Sequence, residues 1–97
     1  MIVRVSRARV KAGKEAAFER FIRQEAVDFM KEQPGLQDFT FGWSQTRPRE
    51  FLFTSWWTSL DDVKRFGGKD WHKSVILPGE AAMVREMLCE HYEPLGA

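Results

Sequence analysis

The sequence predicts an α+β fold: four strands in one antiparallel sheet, with the helices on one face of it. Three observations lead there. Strand-like runs and helical periodicities succeed each other in the order β-α-β-β-α-β. The second and third strands are joined by a short turn-rich loop, as in a hairpin. The run FLFTSWW, Phe51 to Trp57, has the length and the residue types of a buried strand, and it is followed at once by a helix-capping signal.

Ile2 to Val10 alternates as a strand, with Val3 and Val5 on one side and Ser6 and Ala8 on the other; Arg4, Arg7 and Arg9 decorate it. Ala12-Gly13 makes the turn. Lys14 to Gln33 reads as an amphipathic helix. At roughly 100° per residue, Phe18, Phe21, Ile22, Ala26 and Phe29 share one side. Glu25 falls inside that apolar stripe. It must therefore be paired, border water, hold a proton or line a pocket. Pro34-Gly35 ends the helix.

Leu36 to Gln45 is the second strand, with Phe39, Phe41 and Trp43 on one face. Thr46 to Glu50 is the hairpin loop, and Phe51 to Trp57 returns. Thr58 and Ser59 offer cap oxygens, Asp61 and Asp62 suit a first helical turn, and Leu60 to Phe66 carries Val63 and Phe66 inward. Gly67-Gly68 stops that helix. Lys69 to Leu77 continues as a helical turn or short helix, and Glu80 to Met87 favours another by propensity. Leu88 to Pro94 closes as a strand, with Tyr92 and His91 on opposite faces.

The order is that of the ferredoxin-like split βαβ arrangement. Both main helices then cover one face of the sheet, because crossovers keep a fixed hand. The other face is left open and is expected to hold one of the two aromatic rows. Packing it on the same face of a second copy about a two-fold axis is the natural remedy.

Composition narrows the function classes. The 97 residues make one domain, 1–97, with a modest core. Eight Phe and four Trp exceed what a lone small core needs, so a second chain is expected to cover some of them. Fifteen basic and fourteen acidic residues are interspersed, which argues against a nucleic-acid or anionic-membrane footprint. Apolar runs are too short to span a bilayer, no signal-peptide core follows Met1, and the one cysteine, Cys89, forms no internal disulfide. A cytoplasmic home is expected.

The quoted segments resemble the antibiotic biosynthesis monooxygenase family. Val10-Lys11-Ala12-Gly13-Lys14-Glu15-Ala16-Ala17-Phe18-Glu19 is similar to its opening turn and helix, and Pro34-Gly35-Leu36 to its entry into the second strand. Phe51 to Trp57 with Thr58-Ser59-Leu60-Asp61 is similar to its third strand and helix start. Trp71-His72-Lys73 and Glu90-His91-Tyr92-Glu93 resemble its closing segments. The resemblance implies a dimeric α/β barrel with a pocket in each subunit between helices and sheet. It also implies chemistry among cofactor-independent oxygenases, quinol monooxygenases and haem-degrading enzymes. The haem-degrading branch uses an Asn on the first strand, a Trp late in the second helix and a His three turns on. Here the first strand has Ser6 and Arg7, Phe66 stands at the Trp position and Ile76 near the His position. Degradation by that triad is not expected; haem binding through His72 stays open.

His72 is the best candidate for catalysis. A histidine exchanges a proton near neutral pH and could deprotonate a phenol or hydroquinone, whose anion then reacts with oxygen. The competing reading is a helix-end histidine beside Trp71. Glu25 could orient His72. Trp43, Trp57, Trp71, Phe66 and Tyr92 are candidates to hold a flat substrate, with core or interface as the plainer role for each. Cys89 reads as a small buried hydrophobe. No metal constellation, glycine-rich phosphate loop or nucleophile elbow is present. The expected protein is a cofactor-free, homodimeric monooxygenase acting on a small aromatic molecule. A non-catalytic ligand binder and a haem-binding protein are the alternatives.

Overall fold

A computed structural model describes residues 1–96. The strands are β1 (Ile2–Val10), β2 (Leu36–Trp43), β3 (Glu50–Trp57) and β4 (Val84–Tyr92). They form one sheet in the order β2-β3-β1-β4, and every neighbouring pair is antiparallel. Between β1 and β2 runs an unbroken helix made of α1 (Glu15–Phe21), a π turn (Ile22–Ala26) and α2 (Val27–Lys31). After β3 comes α3 (Leu60–Gly67). This is the split βαβ order, with a four-stranded antiparallel sheet as predicted.

Local chemistry sets the boundaries. Ser59, extended at φ −152°, accepts the Asp62 N–H at 3.3 Å and so caps α3. The turn before β2 needs glycine twice over. Gly35 has φ 81°, and a Cβ there would collide with the Asp62 carboxylate. The Gly35 carbonyl accepts Thr58 N–H at 2.9 Å, so the entrance to β2 is locked against the start of α3.

Phe18, Ile22 and Ala26 from the long helix bury against Ala8, Val10 and Phe51. Phe18 meets Phe51 edge-on at 5.1 Å, and Phe51 meets Trp43 at 4.8 Å. The π turn explains why these three helical residues line up. An i→i+5 turn takes one residue more than an α turn, so Ala26 swings back beneath Phe18 and Ile22. The same slip moves Glu25 off the stripe, and its side chain is exposed. The inward Glu25 of a uniform helix is thus corrected.

Further expectations change. Residues 80–87 are not a helix: a single 3₁₀ turn (Ala81–Met83) leads into β4, which starts at Val84 instead of Leu88. The register jumps so that Val10 pairs with Val84 while Arg9 pairs with Glu86. Arg85 is the extra residue of a bulge, and Val84 and Met87, three apart, face the same side. The helix favoured there by propensity gives way to strand pairing with β1. Nor is 69–77 helical: after a 3₁₀ turn (Gly68–Asp70) it runs irregularly across the end of the sheet. Finally, both aromatic rows face the helices. The register aligns Phe39, Phe41 and Trp43 with Ser55, Phe53 and Phe51. The outer face instead presents Val3, Val5, Leu52, Trp56, Leu88 and Tyr92 by alternation, with Leu88 and Tyr92 exposed.

Candidate functional site

Strand parity sends Arg4 inward alongside Ser6 and Ala8, and Arg4 is only 4% exposed. Its guanidinium is spread over the irregular segment after α3. Nη1 donates to the Trp71 carbonyl at 2.7 Å and Nη2 to the Lys73 carbonyl at 2.8 Å. Nη1 also lies 2.9 Å from His91 Nε2. A guanidinium has no acceptor, so His91 accepts there and carries its proton on Nδ1. One residue pair along β1, the Ser6 hydroxyl meets the Ser74 hydroxyl at 2.6 Å and the Leu88 carbonyl at 3.1 Å. Arg4 and Ser6 together pin residues 71–74 to the sheet.

Beside this anchor a cavity opens between the helices and the sheet. About 60 Å³ is open to the centres of water-sized molecules, several times what one water needs. Its walls are mostly apolar: Phe29 and Met30 of α2, Phe41, Phe53, Phe66 and Met87 among them. The polar lining is Arg4, Ser6, Thr54, Ser55 and Glu80. Arg4 Cζ lies 5.2 Å from the Phe66 ring centre, a cation–π contact that holds the guanidinium at the cavity edge.

Glu80 is the cavity's carboxyl, and it is 3% exposed. Oε1 accepts the Leu77 N–H at 3.1 Å, while the Leu77 carbonyl accepts the Glu80 N–H at 3.0 Å. This closed turn sets the side chain into the cavity wall. Burial pushes its pKa up; the Leu77 N–H pulls back in part. Burial lowers the pKa of Arg4, and burial first, then the charges of Arg4 and His72, lower that of His91.

The residues expected from the sequence fall in several places. Phe66 lines the cavity. His72 and Glu25 are exposed, line neither cavity nor groove, and share no hydrogen bond. Trp71 is half-buried, its ring edge-on to His72 at 5.9 Å and to His91 at 5.1 Å, with the Lys64 ammonium 5.6 Å away. Trp57 is fully buried and donates from Nε1 to Ser55 Oγ at 2.8 Å, so it supports a lining residue without touching the space. Trp43 lines a separate groove between the long helix and β2, its Nε1 donating to Glu19 at 2.7 Å. Tyr92 is on the outer face, its hydroxyl donating to Glu90 at 3.1 Å. Arg7 and Arg9 pair within the chain, with Glu90 at 3.8 Å and Glu86 at 3.4 Å. Cys89 is half-buried and burial raises its pKa, which suits an inert thiol.

Sequence reasoning missed Arg4 and Glu80 as site residues. For Arg4 a signal existed: it shares parity with Ser6 and Ala8. For Glu80 none did, because an irregular loop has no period. Among the described residues no group of His, Cys, Asp and Glu is placed to hold a metal ion, and no helix is long and apolar enough to cross a membrane.

Comparisons place this geometry among known proteins. Solved structures with the same fold include an antibiotic biosynthesis monooxygenase at 13% identity, covering 99% of this chain and 100% of that one, with a TM-score of 0.78. A protein of Nitrosomonas europaea, provisionally named an antibiotic biosynthesis monooxygenase, is 20% identical over 99% and 100% of the two chains, TM-score 0.77. SnoaB of Streptomyces nogalater, a cofactor-independent oxygenase solved as a mutant, is 20% identical over 99% and 94%, TM-score 0.75. At these identities the likeness is one of fold. No curated protein matches the chain. The family profile of the antibiotic biosynthesis monooxygenases matches residues 1–76. The chain therefore belongs to the antibiotic biosynthesis monooxygenase family.

Proposed function

We propose that this protein is a small oxidoreductase that adds oxygen to an aromatic or quinol-type molecule held in the cavity, without a cofactor. The observation that carries the reading is an aromatic-walled cavity with a buried carboxyl of raised pKa in its wall, in a chain of a monooxygenase family. The fold likeness to SnoaB, a cofactor-independent oxygenase, supports the same class.

Glu80 is the proton acceptor in this reading. A carboxylate with a raised pKa is a better base than an ordinary one, and it stands in the wall that a substrate would touch. Removing a proton from a quinol hydroxyl makes an electron-rich anion. That anion passes an electron to dioxygen, the radical pair closes a C–O bond, and the resulting hydroperoxide loses water. A quinol plus dioxygen becomes a hydroxyquinone plus water, with all the electrons drawn from the substrate. Phe41, Phe53 and Phe66 hold the ring and keep the site dry. His72, the acceptor expected from the sequence, is exposed and lines neither the cavity nor the groove.

The active form is a homodimer packed through the outer sheet face. Its support is the exposed apolar surface of Leu88, 60% exposed, and Tyr92, 48% exposed, on a sheet whose other face is already covered. A cytoplasmic location accords with the free thiol of Cys89.

The test is oxygen uptake with a panel of quinols, with products identified by mass spectrometry. One dioxygen consumed per hydroxyquinone formed is expected. Glu80→Gln should lower kcat by roughly 10²-fold or more, with His72→Ala within about twofold of wild type. The reverse ranking would return the proton transfer to His72, and no uptake with any quinol would end the reading.

A further inference from the structure

Arg4 is a buried cation with no ion-pair partner among the described residues, and Glu80 of the same cavity is not within salt-bridge distance. Its hydrogen bonds run to two carbonyls and a neutral imidazole. Three of its N–H groups are engaged; a guanidinium has about five, so Nε–H and one Nη2–H remain. Those two atoms form the edge that takes a carboxylate in a two-pronged grip. An uncompensated buried charge is costly, and a ligand that brings the opposite charge offsets that cost.

A second donor sits next to it. Ser55 pairs with Arg4 across β1 and β3 and is 6% exposed in the same cavity. Its Oγ accepts from Trp57 Nε1, and its own proton has no acceptor among the described residues. The Arg4 end of the cavity is thus rich in donors and positive, and the rest of the wall is mostly aromatic and aliphatic.

We infer that the ligand is a single-ring aromatic bearing an anionic substituent, a carboxylate, which Arg4 and Ser55 hold while the ring lies against Phe41, Phe53 and Phe66. This rests on the cavity being the substrate site, and it adds the charge of the substrate to that reading. The cavity is narrow, about 60 Å³ to the centres of water-sized molecules, which limits the aromatic part to a single ring, and the Ser55 hydroxyl gives the carboxylate a second partner beside the guanidinium.

The probes are 2,5-dihydroxybenzoate, its amide 2,5-dihydroxybenzamide, and hydroquinone. Binding is measured on the wild-type protein by calorimetry at pH 7, where the ring hydroxyls are neutral. The carboxylate should bind roughly 10- to 100-fold tighter than the amide, the range of hydrogen bonds to a charged group. Arg4→Lys keeps the charge but loses the fork and should cut that ratio. Ser55→Ala should cut it too, by a smaller factor. Equal binding of acid and amide to the wild-type protein overturns the inference, as does an unchanged ratio in both variants. Turnover of uncharged hydroquinone with no binding of the acid would also overturn it while leaving the oxygenase reading intact.

Discussion

Arg4 Nη1 stands 2.9 Å from His91 Nε2, and the same nitrogen donates to the Trp71 carbonyl at 2.7 Å. A contact between a guanidinium and an imidazole holds only while the imidazole is neutral, because the guanidinium can only donate. The segment over the end of the sheet is therefore tied down through a group that titrates.

A pH dependence follows. The folded-state pKa of His91 is lowered, first by burial and then by the charges of Arg4 and His72. In the unfolded chain it returns to about 6.5. Between those two values the unfolded chain binds more protons, so stability is fully present above about pH 6.5 and falls as the pH drops toward the folded pKa. Urea unfolding at pH 7.5 and pH 5.5 should give lower stability at the acid end, and His91→Gln, which keeps an acceptor, should flatten that slope. Nitrogen NMR should find the His91 proton on Nδ1.

Glu80 behaves in the opposite sense. Burial raises its folded-state pKa. Its contribution is therefore fully present below the unfolded value and is lost as the pH rises through the folded one. Above the unfolded value, keeping this carboxyl buried weakens the fold relative to acid pH. Glu80→Gln keeps an oxygen for the Leu77 N–H and should raise Tm at pH 7, with the difference from wild type shrinking toward pH 4. Loss of turnover with gain of stability in one variant is the pattern of a residue kept for function.

Two backbone positions give contrasting outcomes. Gly35, at φ 81°, has no room for a Cβ beside Asp62, so Gly35→Ala should cost more than the ~1–3 kcal/mol of the left-handed backbone alone. Arg49 occupies a left-handed conformation at φ 60°, and its Nε is buried without a partner. Arg49→Gly removes both penalties and keeps the carbonyl that accepts Val10 N–H at 2.8 Å. It should leave stability equal or raise it by about 1 kcal/mol in denaturant unfolding.

The dimer is tested through the outer sheet face. Leu88→Glu and Trp56→Glu place a charge on that face without touching the core beneath the helices. Sedimentation should find a dimer for the wild type and a monomer for each variant, with the near-ultraviolet circular dichroism of the inner aromatic cluster retained. A wild-type monomer at micromolar concentration would remove the proposed assembly.

Much of the fold was readable along the chain. Alternation in residues 2–10 separates Val3 and Val5 from Ser6 and Ala8, and the register bears this out. Ser59 caps α3 as its position before Asp61 and Asp62 suggests. Two of the misreadings fall where a regular repeat is interrupted. The π turn at Ile22–Ala26 and the bulge at Arg85 each insert a residue into a regular repeat. Every later residue then changes phase, so Glu25 left its stripe; the helix expected over Glu80 to Met87 rested on propensity, which the bulged strand overrides. Of the cavity wall, the inward side of Phe66 was legible because it follows a helical period; that of Glu80 was not, because it lies in a loop.

Local periodicity, turn residues and caps thus settled the element order, the sheet and the family, since those depend on residues near one another in the chain. The cavity and its charges depend on residues up to 87 positions apart, as Arg4 and His91 are. Only folding brings a strand cation, a loop carboxyl and helix aromatics around one space. Burial there gives Arg4 and Glu80 properties that neither has in the extended chain.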